Sequence, residues 1–169
     1  MEDIKDLIKK AEAGDIEAQF DLAVCYNIGD GVPKDRTIAK KWWQKAAEQG
    51  CAESKYYVGA YYMIEEKNHN KAFEWLLKAA EQGQVDAQQC VGAYYQDGCD
   101  EVPQDHKKAV YWHNKAAEQG HSEAEYNLGV CYWYGYGVEV DKTQSKKWFE
   151  KAAAQGDEMA ITALRDLSF

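Results

Sequence analysis

The hexapeptide KAAEQG stands at residues 45–50, again at 78–83 and again at 115–120, and KAAAQG stands at 151–156. A degenerate copy, KKAEAG, ends at Gly14. The closing glycines Gly14, Gly50, Gly83, Gly120 and Gly156 are 36, 33, 37 and 36 residues apart. Self-similarity at such a period marks a repeat protein, in which each unit is one supersecondary element. Counting from each glycine, the fourth residue is small (Ala18, Ser54, Ala87, Ala124, Ala160). The eighth is aliphatic (Leu22, Val58, Val91, Leu128, Leu164) and the ninth tiny (Ala23, Gly59, Gly92, Gly129). The twelfth is Tyr26, Tyr62, Tyr95 or Tyr132. Steps of four place these side chains on one helical face. This is helix A of each unit.

A second stripe follows in each unit: Ala39, Trp42, Trp43, Ala46 and Ala47 in the first, with Trp75, Trp112 and Trp148 at the place of Trp42 in the others. Its spacing is that of an amphipathic helix B. The hexapeptide is the last turn of helix B. Its two alanines admit a neighbouring helix closely, and its glycine supplies the left-handed C-terminal turn. The four tryptophans at the Trp42 place are expected in the core. Between A and B, Gly29, Gly98 and Gly135 end helix A, and Val32, Val102 and Val138 tuck beneath the loop. Asp35, Asn68, Asp105 and Asp141 are placed to cap helix B with a side-chain oxygen. The second unit's loop is shorter and lacks the glycines; the third unit's loop is one residue longer.

A single unit cannot bury its stripe, but stacked units can. The expected fold is therefore all-α, a right-handed α-solenoid of stacked helix hairpins in a single domain over residues 1–169. A lone helix occupies 2–13, four repeats occupy 14–50, 51–83, 84–120 and 121–156, and a capping helix occupies 157–169.

Composition bounds the function. The chain is 29% charged and 46% hydrophobic with a formal net charge of -9, an ordinary globular balance. An acidic chain repels phosphate backbones, so no nucleic acid is expected as a partner. No stretch reaches the length of a membrane span, and MEDIKDLIKK lacks the apolar core of a signal peptide. The five cysteines, Cys25, Cys51, Cys90, Cys99 and Cys131, contain no CxxC. Their number and spacing suit reduced, mostly buried thiols in a cytoplasmic protein, with an extracellular or periplasmic one as the alternative if a signal peptide has been removed. His106 and His113 are about 10 Å apart along one helix, too far to share a metal unaided. His69 and His121 are isolated, and Cys99, Asp100 and Glu101 read as a solvated loop. No SxxK, KTG, GxxxxGK[ST] or spaced Ser, His and Asp set is present. No enzyme activity, metal or cofactor is expected.

The stretch GDIEAQFDLAVCYNIGDGVPKDRTIAKKWWQKAAEQG at 14–50 resembles a Sel1-like repeat, a relative of the tetratricopeptide repeats with a longer unit and a Gly-x-Gly-Val loop. HSEAEYNLGVCYWYGYGVEVDKTQSKKWFEKAAAQG at 121–156 is similar, as are both helices of the two units between them. The resemblance implies an adaptor or scaffold that binds a protein or peptide in the concave groove lined by the A helices. By analogy with tetratricopeptide geometry, the groove positions lie three, six, ten and thirteen residues after each glycine. They read Glu17, Phe20, Val24, Asn27; Glu53, Tyr56, Ala60, Met63; Asp86, Gln89, Ala93, Gln96; and Glu123, Tyr126, Val130, Trp133. The acids and aromatics among them suit a basic or amphipathic partner. Acids in a first helical turn also favour the helix dipole without any ligand. In CYWYGY at 131–136, one of Tyr132 and Trp133 is expected in the core and the other outside, with Tyr134 as a further contact. Cysteine-rich relatives, linked to β-lactam hydrolysis and peptidoglycan-like ligands, suggest a hydrolase or glycan-binding alternative. Their regular disulfide spacing is absent here. A self-assembling structural protein is a third reading.

Overall fold

The computed structural model describes residues 4–99 and 101–167, so Asp100 of the third loop lies outside the described residues. Among the described residues there are ten helices: α1 (Ile4–Glu12), α2 (Ile16–Ile28), α3 (Arg36–Glu48), α4 (Ala52–Ile64), α5 (His69–Glu81), α6 (Val85–Asp97), α7 (His106–Glu118), α8 (Ser122–Tyr134), α9 (Lys142–Ala154) and α10 (Glu158–Asp166). Contacts divide the chain into two compact units, Met1–Gln82 and Gly83–Phe169. In each unit the helices pack serially on their chain neighbours, α1 to α5 in the first and α6 to α10 in the second.

Most letters of the hexapeptide have a physical task. The first alanine of each pair is in the core: Ala46, Ala79, Ala116 and Ala152 have no exposed surface. The closing glycines take left-handed φ values, from 83° at Gly120 to 105° at Gly50, where a side chain would be strained. The lysine lies over an aromatic ring of its own helix: Lys45 is 3.8 Å from the Trp42 centroid, Lys78 5.0 Å from Trp75 and Lys151 4.1 Å from Trp148. The glutamine latches the hairpin shut. Gln49 Nε2 donates to the Gly14 carbonyl at 3.1 Å and to Gln19 Oε1 at 2.9 Å. Gln119 repeats this with Gly83 and Gln88, at 3.1 and 2.8 Å. Gln155 donates to Glu125 at 2.8 Å, and Gln82 accepts from Lys55 at 2.7 Å.

The tryptophans at the Trp42 place are half-buried, not core as the sequence led us to expect. The core position is one residue later: Trp43 (3% exposed), Leu76, His113 and Phe149. In the last three repeats it is set by the tiny residue of helix A. A Cβ built on Gly59 would lie 2.8 Å from Leu76, one on Gly92 2.6 Å from His113, and one on Gly129 2.6 Å from Phe149. Each glycine is a hole and each later side chain its knob. In CYWYGY the buried residue is Cys131, while Tyr132 and Trp133 are both half-buried.

Helix starts are satisfied twice per repeat. Asp35, Asn68, Asp105 and Asp141 accept from the first turn of α3, α5, α7 and α9, as expected. The A helices are capped by the residue after each glycine, and three of these caps are unusual. Cys51 Sγ accepts from Ser54 N–H at 3.4 Å, Gln84 Oε1 from Ala87 N–H, and His121 Nδ1 from Ala124 N–H at 3.3 Å. The A–B loops differ in length yet close alike. The tyrosine carbonyls of Tyr26, Tyr62, Tyr95 and Tyr132 accept the backbone N–H of Asp35, Asn68, Asp105 and Asp141 at 2.8 to 2.9 Å. In the short second loop Lys67 takes a left-handed φ of 51°.

Candidate functional site

In the first unit the A helices α2 and α4 bring six of the expected residues, Glu17, Phe20, Asn27, Glu53, Tyr56 and Ala60, around two open cavities. One cavity of about 580 Å³ is lined by Asp15, Ile16, Glu17, Phe20, Cys51 and Glu53. Three of its six residues are acids and none is basic. Glu17 and Glu53 are exposed, while Asp15 Oδ1 caps α2 at 2.8 Å from Ala18 N–H. The Cys51 thiol lies 3.8 Å from a Glu53 carboxylate oxygen and donates to it. The other cavity, about 280 Å³, is lined by Asn27, Arg36, Trp43, Tyr56, Tyr57, Ala60, Tyr61, Ile64 and Glu65. Its cation, Arg36, is ion-paired with Glu65. A run of rings joins the two cavities: Phe20 lies 5.7 Å from Tyr57, which stacks on Trp43 at 4.7 Å and meets the edge of Tyr56 at 5.4 Å. The Trp43 indole N–H is buried and has no hydrogen-bond partner among the protein atoms. Met63 is half-buried and lines neither cavity.

In the second unit, Tyr126, Val130, Trp133, Tyr134 and Phe149 face α10 residues, including Glu158, Met159 and Asp166, around an open cavity of about 480 Å³. Tyr134 is 58% exposed and stacks on Tyr136 at 5.5 Å, which stacks on His106 at 5.0 Å. Lys142 lies 4.4 Å over the Trp133 ring. Burial raises the Tyr126 hydroxyl pKa, and the Asp157 carboxylate and Tyr134 add to the shift. Asp86 and Glu123 are exposed and lie near Cys90, whose thiol is pushed up to about 11 by burial and then by these two carboxylates. Asp86 also sits 3.5 Å from His121 Nε2. Gln89, at the place of the rings of Phe20, Tyr56 and Tyr126, does not present its side chain to a groove: it is 5% exposed, with its side-chain oxygen buried. Gln96 is half-buried with a buried side-chain oxygen.

Sequence reasoning did not find Trp43 as a cavity wall. Its signal was present, since WW at 42–43 offers two rings about 100° apart on one helix. All five cysteines are free, and only Cys131 is fully buried, fewer than expected. Among the described residues no three His, Cys, Asp or Glu side chains are grouped to hold a metal ion. No described helix is long and apolar enough to cross a membrane.

Comparison with known proteins fits this architecture. The chain is 36% identical to c5321, a protective antigen of uropathogenic Escherichia coli displaying an SLR fold, over 95% of this chain and 35% of that one, with a TM-score of 0.90. It is 36% identical to a Sel1 repeat protein from Oxalobacter formigenes, over 98% of this chain and 48% of that one, with a TM-score of 0.87. The chain thus spans less than half the length of either. Helicobacter pylori cysteine rich protein B is 28% identical over 74% of this chain and 96% of its own, with a TM-score of 0.60. No curated protein matches. The family model described as Sel1 repeat matches four times, at residues 16–51, 52–84, 85–121 and 122–157. The hexapeptide, the glycine holes and these four matches agree: the chain belongs to the Sel1 repeat family, an all-α solenoid class.

Proposed function

We propose that this chain is a non-enzymatic scaffold that binds a partner protein or peptide on the faces of its A helices. Sel1 repeats are commonly protein-interaction scaffolds, but a fold alone does not assign a function. The observation that carries the reading is the convergence of Glu17, Phe20 and Glu53, from two successive repeats, on one open cavity. Rigid aromatic surface beside charge that is not neutralised is the chemistry of a binding hot spot. A partner capture from the source organism's lysate, read by mass spectrometry, tests it. The wild type is compared with Tyr56→Ala plus Tyr126→Ala, a variant confirmed by circular dichroism to be folded. A partner enriched by the wild type and lost by the variant is expected. Equal retention by both would move the interface off the cavities that Tyr56 and Tyr126 line, and capture of nothing would sink the scaffold reading.

A further inference from the structure

The open cavity of the second unit carries a chemistry of its own. We infer that it is a binding site for an alkylated ammonium group, such as the trimethylammonium head of choline or of a methylated lysine. The inference goes beyond the scaffold reading and does not depend on it.

The walls are aromatic. Tyr126, Trp133 and Tyr134 of α8 line the cavity of about 480 Å³, and Phe149 of α9 closes it. Phe149 is enclosed, but the other three rings keep accessible surface. Ring faces attract cations, and tryptophan does so most strongly. The chain shows this at the same ring, where Lys142 lies 4.4 Å from the Trp133 centroid. Glu158 and Asp166 of α10 line the same cavity, and none of its eleven lining residues is basic. Asp166 is paired with Arg165, which leaves Glu158 as the carboxylate to face a ligand. Val130, Met159, Ala163 and Leu167 add apolar wall. A bare ammonium brings three donors that such walls leave unmet. A trimethylammonium has no donor to leave unmet, and its methyl groups are apolar surface. An anion is repelled by Glu158, and a neutral group gains nothing from the charge of the ring faces.

The counterpart of this cavity in the first unit shows which residues make the difference. Counted from the hexapeptide glycine, Trp133 takes the place of Asn27, Asp166 that of Ala60, and Phe149 that of Trp43. Ala163 and Leu167 take the places of Tyr57 and Tyr61, and the loss of two rings opens the space from about 280 to about 480 Å³. A tryptophan ring and a carboxylate thus stand where the first unit has an amide and a methyl group. Arg36 lines the first cavity, whereas its counterpart Lys142 lies on Trp133 and is not part of the lining.

The test titrates the intact chain with three small molecules to about 10 mM at matched ionic strength, followed by NMR. They are choline, its neutral analogue in which a carbon replaces the nitrogen, and ethanolamine. The analogue keeps the shape of choline without the charge, and ethanolamine keeps the charge without the methyl groups. The choline methyl resonance is expected to move upfield under the ring currents, together with shifts of the Trp133 indole and the α10 amides. Choline should bind about fivefold or more tightly than the neutral analogue, and more tightly than ethanolamine. Trp133→Leu and Tyr134→Leu, each confirmed by circular dichroism to be folded, should weaken it about threefold or more. Glu158→Gln should weaken it about twofold. Glu150→Gln, at an exposed carboxylate of α9 outside the lining, should leave it unchanged. The inference is overturned if the neutral analogue or ethanolamine binds as well as choline, if choline moves none of these resonances, or if both leucine variants bind it as the wild type does. Acetyl-trimethyllysine-amide separates the two sources of the head group. Tighter binding than choline assigns the head to a partner's side chain, and weaker binding assigns it to a small molecule. Should choline bind while no partner is captured from lysate, this site stands and the scaffold reading falls. Should a partner be captured while choline fails, the reverse holds.

Discussion

Trp42 and Trp43 are chemically identical neighbours with different energetic roles. Trp43 is enclosed and stacks on Tyr57, whereas Trp42 is half-buried beneath Lys45. Trp43→Ala should therefore cost about 3–5 kcal/mol of unfolding free energy, as for other large-to-small core changes. Trp42→Ala should cost roughly half of that or less, in proportion to the smaller apolar area it withdraws from water. Urea unfolding of the two single variants measures both; equal losses would contradict the assignment. Sequence alone could not separate them, because adjacent helical residues both fall within a broad apolar stripe. What decides between them is the surface across the interface. In the later repeats Gly59, Gly92 and Gly129 leave a hole that one side chain enters and its predecessor does not. The acids and rings of the candidate site were easier to read, since their recurrence at fixed steps from each glycine is visible without knowing what they face. The buried Gln89 broke that pattern for the same reason, as no periodicity reports how fully a short side chain is enclosed.

At the level of the helix, two features make measurable claims. Gln49 closes the α2–α3 hairpin by donating to the Gly14 carbonyl and to the buried Gln19. Gln49→Ala removes a donor from a buried acceptor and should destabilise the protein by about 1–3 kcal/mol, read as a lower urea midpoint with an unchanged slope. Helix α7 carries His113, without exposed surface, where α5 carries Leu76 and α9 Phe149. Neither imidazole nitrogen has a partner, and burial, assisted by nearby His121, lowers its pKa from 6.5 to about 4. The unfolded chain then binds a proton more readily than the folded one. The stability contributed by neutral His113 is complete above pH 6.5 and is lost progressively as pH falls towards 4, by about 3 kcal/mol in all. His113→Leu, the side chain that serves the same place in α5, should flatten that acid limb in equilibrium unfolding measured from pH 7 to pH 4. An unchanged pH profile would show that the ring is hydrated or partnered. The helices themselves, the side-chain caps of the B helices and the order of the elements were legible because every repeat restates them, whereas the caps of the A helices, with Cys51, Gln84 and His121 among them, were not. The glutamine latch was not, since a glutamine before a C-terminal glycine looks like any solvated residue until its partner is near.

Across the whole chain, repetition made the architecture readable and concealed what distinguishes one repeat from another. The same register also shows what a continuing repeat would meet. At the place of Gly59, Gly92 and Gly129, helix α10 carries Arg165, an exposed side chain paired with Asp166. A further B helix built on the same plan would find a guanidinium where its knob needs a hole. The loops are a different matter. Between the tyrosine carbonyl and the capping amide, the chain takes nine steps from Tyr26 to Asp35, six from Tyr62 to Asn68 and ten from Tyr95 to Asp105. In each case the closing bond is 2.8 to 2.9 Å long. Replacing the second loop with residues copied from the fourth should leave the circular dichroism unchanged and shift stability by less than about 1 kcal/mol, since loop closure depends only weakly on length. Each hairpin thus holds its connection as a socket holds a fitting. New surface chemistry can be exchanged at these four places without redesigning the helices beneath.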